Sequence, residues 1–319
     1  MSKFFDSSRQ KPASPAPAPA APVSEAASTA ADLQGFLDEL NRSAELQVSS
    51  VQVPDLVETE RILRGADSNA AQLSPVGEGE YRNVTLSAPA GKVMLRERMF
   101  DGQSADAYRR LRTRLMAQHA DQPFRSLVIA SAIRGEGKTL TSVNLAISFA
   151  QLENFKVLLV DSDLRTRGSS RLVSLDSGPG LSGVLARNAT YMDAISATDC
   201  KNLLFLNAGS GDIPASELFA SASWRDFTQW AAAQFDMVVY DAPPILPVPD
   251  FDLIAPACDR VLLVVRPFVS RLVEVEKSLA HVEKKKFSGV VLNGSSARSS
   301  YYYGYGEDGD KKSKRSRSK

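Results

Sequence analysis

Six short apolar runs recur along the chain, at residues 127–130, 157–160, 203–206, 237–240, 261–265 and 289–292. Each is continuous rather than alternating, the pattern of a strand buried on both faces. Between them, at 138–150, 216–234, 250–257 and 271–283, apolar residues return at helical spacing. Strand and helix in this alternation predict an α/β fold, with right-handed crossovers and a mostly parallel sheet covered by helices on both faces. Ahead of the first run, a helix is predicted over 104–115, where Tyr108, Leu111 and Leu115 line one side and arginines crowd the others.

Outside this core the pattern changes. Residues 1–32 contain a Pro/Ala/Ser tract that cannot bury enough apolar surface to offset the entropy of ordering, so a disordered arm is expected. Leu33, Phe36, Leu37 and Leu40 recur at helical spacing and predict a short amphipathic helix within a linker over 33–95. The ordered domain is expected over 96–298. Residues 299–319 form a tail with Tyr301, Tyr302, Tyr303 and Tyr305, then Glu307, Asp308 and Asp310, and then a dense Lys/Arg run. Tyrosines set among Gly and Ser cannot build an apolar strand face, so they read as a recognition segment or as phosphoacceptors.

Composition narrows the function classes. The 319 residues carry a formal net charge of +1, which argues against a general nucleic-acid binder apart from the basic tail. Cys200 and Cys258 lie far apart without metal-ligand spacing and read as reduced thiols. No run approaches the ~20 apolar residues of a membrane span, and the first residues lack a signal-peptide core. A cytoplasmic protein is expected, reaching a membrane through a partner or the basic tail.

The chemistry is concentrated at the ends of three runs. The first, Leu127-Val128-Ile129-Ala130, leads into Arg134-Gly135-Glu136-Gly137-Lys138-Thr139 and then a helix, which together make a phosphate-binding loop. Glycines let backbone N–H groups close around phosphate oxygens, the helix start adds positive potential, Lys138 neutralises β and γ charge, and the Thr139 hydroxyl suits Mg²⁺. Ala132 stands where the usual pattern opens with Gly. The run at 157–160 ends in Asp161 and Asp163, and the run at 237–240 in Asp241. In an open parallel sheet these carboxylates emerge beside the phosphate loop.

The set resembles the cytoplasmic domain of bacterial tyrosine autokinases of polysaccharide synthesis. The resemblance rests on SAIRGEGKT (131–139), VLLVDSDLR (157–165), DMVVYDAPP (236–244) and the terminal tyrosines. It implies a fold related to partition and septum-site P-loop ATPases, with ATP as phosphoryl donor and Mg²⁺ as cofactor. Gly135, Glu136, Gly137, Lys138, Thr139 and Leu140 are then expected to hold the phosphates, Asn293 the adenine, and Thr139, Asp163 and Asp241 the metal. Asp161 is expected to take the tyrosine proton, in a role it can exchange with Asp163. Tyr301, Tyr302, Tyr303 and Tyr305 become the acceptors. Asp106, Arg109 and Arg112 are implied to lie on a subunit-contact helix, with Asp106 where the family usually has Glu. A homo-oligomeric ring, a separate transmembrane chain-length regulator and a resetting tyrosine phosphatase are the implied partners. Two other classes compete. A partition-type ATPase usually has Lys near the loop start, where this chain has Ala132, Ile133 and Arg134. A catalytically idle nucleotide-binding scaffold is favoured by Ala132.

Overall fold

All six apolar runs are strands in the computed structural model, which describes residues 81–86, 102–174 and 178–294. The N-terminal arm, the amphipathic segment after residue 32, the tyrosine cluster and the basic tail lie outside these residues. The described chain starts with β1 (Arg82–Val84) and α1 (Gly102–Asp121), then enters β2 (Ser126–Ser131), α2 (Lys138–Ala150) and β3 (Val157–Asp161). Three short helices, α3 (Gly168–Leu172), α4 (Gly180–Leu185) and α5 (Tyr191–Ala194), lead to β4 (Ile195–Thr198) and β5 (Leu203–Leu206). After α6 (Ala215–Ala220) and α7 (Ala222–Gln234) comes β6 (Met237–Asp241), followed by α8 (Asp250–Ile254), β7 (Arg260–Val265), α9 (Leu272–Leu279) and β8 (Phe287–Leu292).

The strands form one sheet in the order β1-β4-β5-β3-β6-β2-β7-β8. Every pairing is parallel except β4 with β5, which are joined by a short turn. Because side chains alternate along a strand, each central strand feeds two cores. Leu127, Ile129, Leu159 and Val239 pack with α2 and α1 on one face. Val128, Ala130, Val160 and Tyr240 pack on the other with Trp224, Phe227 and Phe251 from α7 and α8. Helix α2 is buried along almost its whole length, lying between the sheet and α1, whose Leu115 is buried and whose Tyr108 and Leu111 are partly buried.

Three expectations change. The expected linker contains β1, a sheet edge, and Leu86 just after it is fully buried, with its N–H donated to Asp199 Oδ1 at 3.0 Å. Arg-Asn-Val carries no apolar alternation, since an edge strand needs only backbone pairing. The helix expected over 216–234 is two helices meeting at Ser221, where the backbone is extended and the hydroxyl donates to Leu218 O at 2.7 Å. A serine offering its own hydrogen bond competes with the helical ladder. The helix expected to run to 283 ends at Leu279.

Candidate active site

Strands β3, β6 and β2 are neighbours, with Asp161 and Ile129 both in register with Asp241. Their carboxyl ends therefore bring the phosphate loop and the aspartates to one place, as the topology of an open parallel sheet requires. Lys138 Nζ lies 3.0 Å from Asp163 Oδ2 and 3.5 Å from Asp241 Oδ1, and it also reaches Thr139 Oγ1 at 3.5 Å. All three charged groups are buried.

The loop itself turns on two glycines with positive φ, Gly135 at +86° and Gly137 at +95°. At Gly137 a Cβ would fall 1.9 Å from Asn293 Nδ2, so any larger residue strains the backbone and displaces the Asn293 side chain. Gly137 is also the N-cap of α2 and supplies no side-chain cap, so the first N–H groups of the helix are left for an anion. Gly168, at the start of α3, presses close to Thr139 and Asp241, where a Cβ would meet Thr139 Oγ1 at 2.7 Å.

Each carboxylate has its own hydrogen-bond partners. Asp163 accepts from Thr166 N at 3.0 Å and Thr166 Oγ1 at 2.6 Å. Asp241 Oδ2 accepts from Ser169 Oγ at 2.6 Å, and its Oδ1 lies 3.2 Å from Ser142 Oγ. Asp161 accepts from Ser170 N and Oγ at 2.7 and 2.6 Å and from Asp163 N at 3.3 Å. These surroundings drive two neighbouring aspartates apart. Burial, and then the charge of Asp241, push the Asp161 carboxyl up to about 7 against the Ser170 hydrogen bonds. Burial also works on Asp163, but Lys138 and Thr166 outweigh it and hold that carboxyl below its ordinary value. For Lys138 burial favours the neutral amine, and Asp241 and Asp163 overcome it to raise the pKa.

A second set of contacts fixes the other flank of the loop. Glu136 is fully buried and accepts from Ile133 N at 2.8 Å and from the Ser270 hydroxyl. Burial raises its pKa, opposed by the hydrogen bonds from Ser270 and Ile133. Asn293, expected at the adenine, donates from Nδ2 to Glu136 O at 2.8 Å and so braces the loop. Leu140 is half-buried and packs on the α2-side core. The expected subunit-contact residues have partners within the chain: Arg109 pairs with Asp106 at 2.9 Å on the surface, and Arg112 donates to Ser148 O at 2.5 Å. The acceptor tyrosines lie outside the described residues.

Sequence reasoning missed the hydroxyls of Ser142, Thr166, Ser169 and Ser170. Ser142 had a findable signal, since it stands four residues after Lys138 on the same helix face. It also missed the bidentate pair of Arg165 with buried Asp250, at 2.6 and 3.0 Å, which ties the turn after β3 to the start of α8.

Among the described residues no three His, Cys, Asp or Glu side chains enclose a metal by themselves. The oxygen donors present, two carboxylates and the Thr139 hydroxyl beside an uncapped helix start, suit a hard cation that keeps water and phosphate ligands. Mg²⁺ with a nucleotide therefore fits. No helix of the described residues is long and apolar enough to cross a membrane.

Residues 125–286 match the AAA domain family, and this P-loop fold implies nucleotide binding. Over 205 residues the chain is 33% identical to the tyrosine-protein kinase YwqD of Bacillus subtilis, covering 63% of this chain and 86% of that one. It is 33% identical over 208 residues to CapB of Staphylococcus aureus, a putative tyrosine-protein kinase by name, covering 64% and 91%. The kinase domain of the Escherichia coli tyrosine kinase ETK superposes with a TM-score of 0.59 at 29% identity, over 71% of this chain and 93% of that domain. Relatives matched over most of their length and a shared kinase-domain fold agree, and the chain belongs to the bacterial tyrosine-protein kinases.

Proposed function

We propose that this kinase transfers the γ-phosphoryl group of ATP to its own C-terminal tyrosines, Tyr301, Tyr302, Tyr303 and Tyr305, between subunits of a ring. The observation that carries the reading is the convergence of Lys138, Asp163 and Asp241, from three separate elements, within 3.5 Å. Phosphoryl transfer needs alignment and charge neutralisation more than covalent help from the protein. Lys138 and the N–H groups of the 135–140 turn hold the phosphates. Thr139, Asp163 and Asp241 hold Mg²⁺, which when bound neutralises charge on the β- and γ-oxygens. Lys138 itself lies against Asp163 and Asp241.

Asp161 and Asp163 divide the remaining work by their environments. A carboxyl raised to about 7 suits a proton acceptor at neutral pH, whereas one held low suits a metal ligand. Asp161 takes the phenolic proton as the tyrosine oxygen bonds to the γ-phosphorus and the bond to the β-γ bridging oxygen breaks, releasing ADP. The exchanged assignment, with Asp163 as base, is distinguished by the pH measurement described in the Discussion. Each phosphotyrosine adds about −1.5 to −2 charge. A modified tail therefore repels itself and leaves the ring, giving a cycle of assembly and release. With a transmembrane chain-length regulator as activator and a phosphatase to reset it, that cycle governs polysaccharide polymerisation or export beneath the membrane. ATP labelled in the γ position, incubated with the full chain and Mg²⁺, tests the reading. Label on the tail tyrosines, lost in Lys138→Met, supports it, and free phosphate alone supports a partition-type ATPase instead. Labelling of a Lys138→Met chain by one whose four tail tyrosines are Phe establishes transfer between subunits.

A further inference from the structure

Four large hydrophobic side chains are exposed among the described residues, and three of them, Phe268, Val269 and Val273, fall within six positions between β7 and the first turn of α9. Phe268 is 84% exposed and holds φ at +65°, a left-handed conformation that costs a bulky residue on the order of 1–2 kcal/mol. Strain and solvated apolar surface together mark a contact surface. The loop beneath is firmly built. Val269 N and Ser270 N both donate to Arg266 O, at 3.1 and 3.0 Å, and Ser270 Oγ accepts from Arg266 N at 2.9 Å while donating to Glu136. The Arg266 guanidinium donates to Gly135 O at 3.3 Å. This apolar platform is thus joined to the phosphate loop.

The course of the chain points to what covers it. Leu292 of β8 lies opposite Val265 of β7, and Asn293 N donates to Val265 O at 2.8 Å. A Cβ on Gly294 would stand 3.6 Å from Arg266 Nε. The C-terminal segment therefore leaves the sheet at the foot of the platform. Six residues separate Gly294 from Tyr301, so Tyr301 reaches at most about 24 Å from that exit. All four tail tyrosines are within range of the loop of their own chain. Charge agrees as well: Arg266 and Arg271 flank the platform, and Glu307, Asp308 and Asp310 follow the tyrosines.

We propose that the 266–273 loop is a docking surface for the tyrosine segment 301–305 of the same chain. Tyrosine rings cover Phe268 and the valines, and the acidic residues behind them face the flanking arginines. Docked there, the segment sits at the rim of the phosphate loop, away from the buried aspartates. It is withheld from a neighbouring subunit, a consequence that rests on the phosphotransfer reading although the docking itself does not.

Hydrogen–deuterium exchange on the full chain without ATP tests the docking. The wild type is compared with Phe268→Ser and with a variant carrying Ser at positions 301, 302, 303 and 305. Phe268 is exposed, so its replacement leaves the core intact, and an unchanged melting temperature checks this. The expected result is several-fold slower exchange of the 266–273 amides in wild type than in the tyrosine variant, and of the 301–305 amides in wild type than in Phe268→Ser. Both protections persist on dilution. Loop exchange equal in wild type and the tyrosine variant overturns the proposal and leaves the platform for another protein. Protection that fades on dilution also overturns it, in favour of a second copy. Because no transfer is measured, loss of kinase activity leaves this result unaffected.

Discussion

On one flank of Lys138, the turn after β3 and the end of β6 bury three aspartates among hydroxyls, with Lys138 as the buried ammonium in contact with two of them. On the other flank, Glu136 is buried just as completely, yet its oxygens meet a backbone N–H and a serine hydroxyl. The difference separates two uses of a buried acid. Where a long, rotatable lysine balances the charge, the balance can pass to a metal and phosphates without rebuilding the backbone. Where an N–H and a hydroxyl hold the carboxyl, the acid fixes the shape of a loop.

Removing the lysine breaks this comparison at its largest expected effect. Lys138→Met should lower tyrosine labelling by about 10²–10³-fold or more, the order expected when a donor to developing charge is lost. It also leaves Asp163 and Asp241 buried without their cation. Stability should then fall by about 3–5 kcal/mol near neutral pH, as for other orphaned buried charges, and by less in acid, where protonation relieves Asp163. Denaturant melts at two pH values measure it, and full labelling by this variant would remove the first flank from the reaction.

Next in size is the split between Asp161 and Asp163, whose pH dependences have opposite signs. Asp161 titrates at about 7 in the fold against 3.8 unfolded, so the folded chain holds an extra proton between those values. Stability from this group is full below about 3.8 and is lost as pH rises through about 7. Asp163, held below 3.8, contributes stability above that value and loses it as pH falls through its lowered pKa. Asp161→Asn should therefore flatten a decline on the order of 2–4 kcal/mol between acid and alkaline pH, while Asp163→Asn should flatten the acid side. In activity, kcat/KM of wild type should rise with pH through about 7. Asp163→Asn should keep that inflection at a rate about 10²-fold lower. Loss of the inflection in Asp163→Asn but not in Asp161→Asn would exchange their roles.

A smaller effect comes from the rim of the first flank. Arg165 is partly exposed, but its partner Asp250 is buried, so Arg165→Ala leaves a carboxylate without its fork. About 1–3 kcal/mol of stability should go, with labelling reduced several-fold as the turn after β3 loosens. Arg165→Lys should restore part of the stability and little of the bidentate geometry.

How far each flank could be read in advance follows the range of its contacts. The central strands were legible because a doubly covered strand must be continuously apolar, and their terminal aspartates were legible because topology sends strand ends to one place. β1 and β4 were not: Arg-Asn-Val and Ile-Ser-Ala-Thr pair through backbone groups that any residue supplies. Nor were the short helices α3, α4 and α5, none long enough to show a period. Glu136 was visible within the motif, but its partner Ser270 is 134 positions away and Asp250 is 85 from Arg165, and no local pattern encodes such pairs.

The mildest test lies on the second flank. In Glu136→Gln the amide oxygen can accept from Ile133 N, and the NH₂ can donate to the one Ser270 Oγ lone pair that the bond from Arg266 N leaves free, while the Ser270 O–H turns away from its former acceptor. Shape is kept and the buried acid disappears at the expense of one rearranged hydroxyl, so stability should change by about 1 kcal/mol and labelling by no more than a few-fold. Glu136→Ala is the contrast, since it orphans the Ile133 N–H and the Ser270 hydroxyl and opens a gap, costing about 2–4 kcal/mol. If the Gln variant lost labelling as completely as Asp163→Asn while its melt stayed native, the charge of Glu136 would belong to the reaction. The distinction between an exchangeable and a fixing acid would then fail.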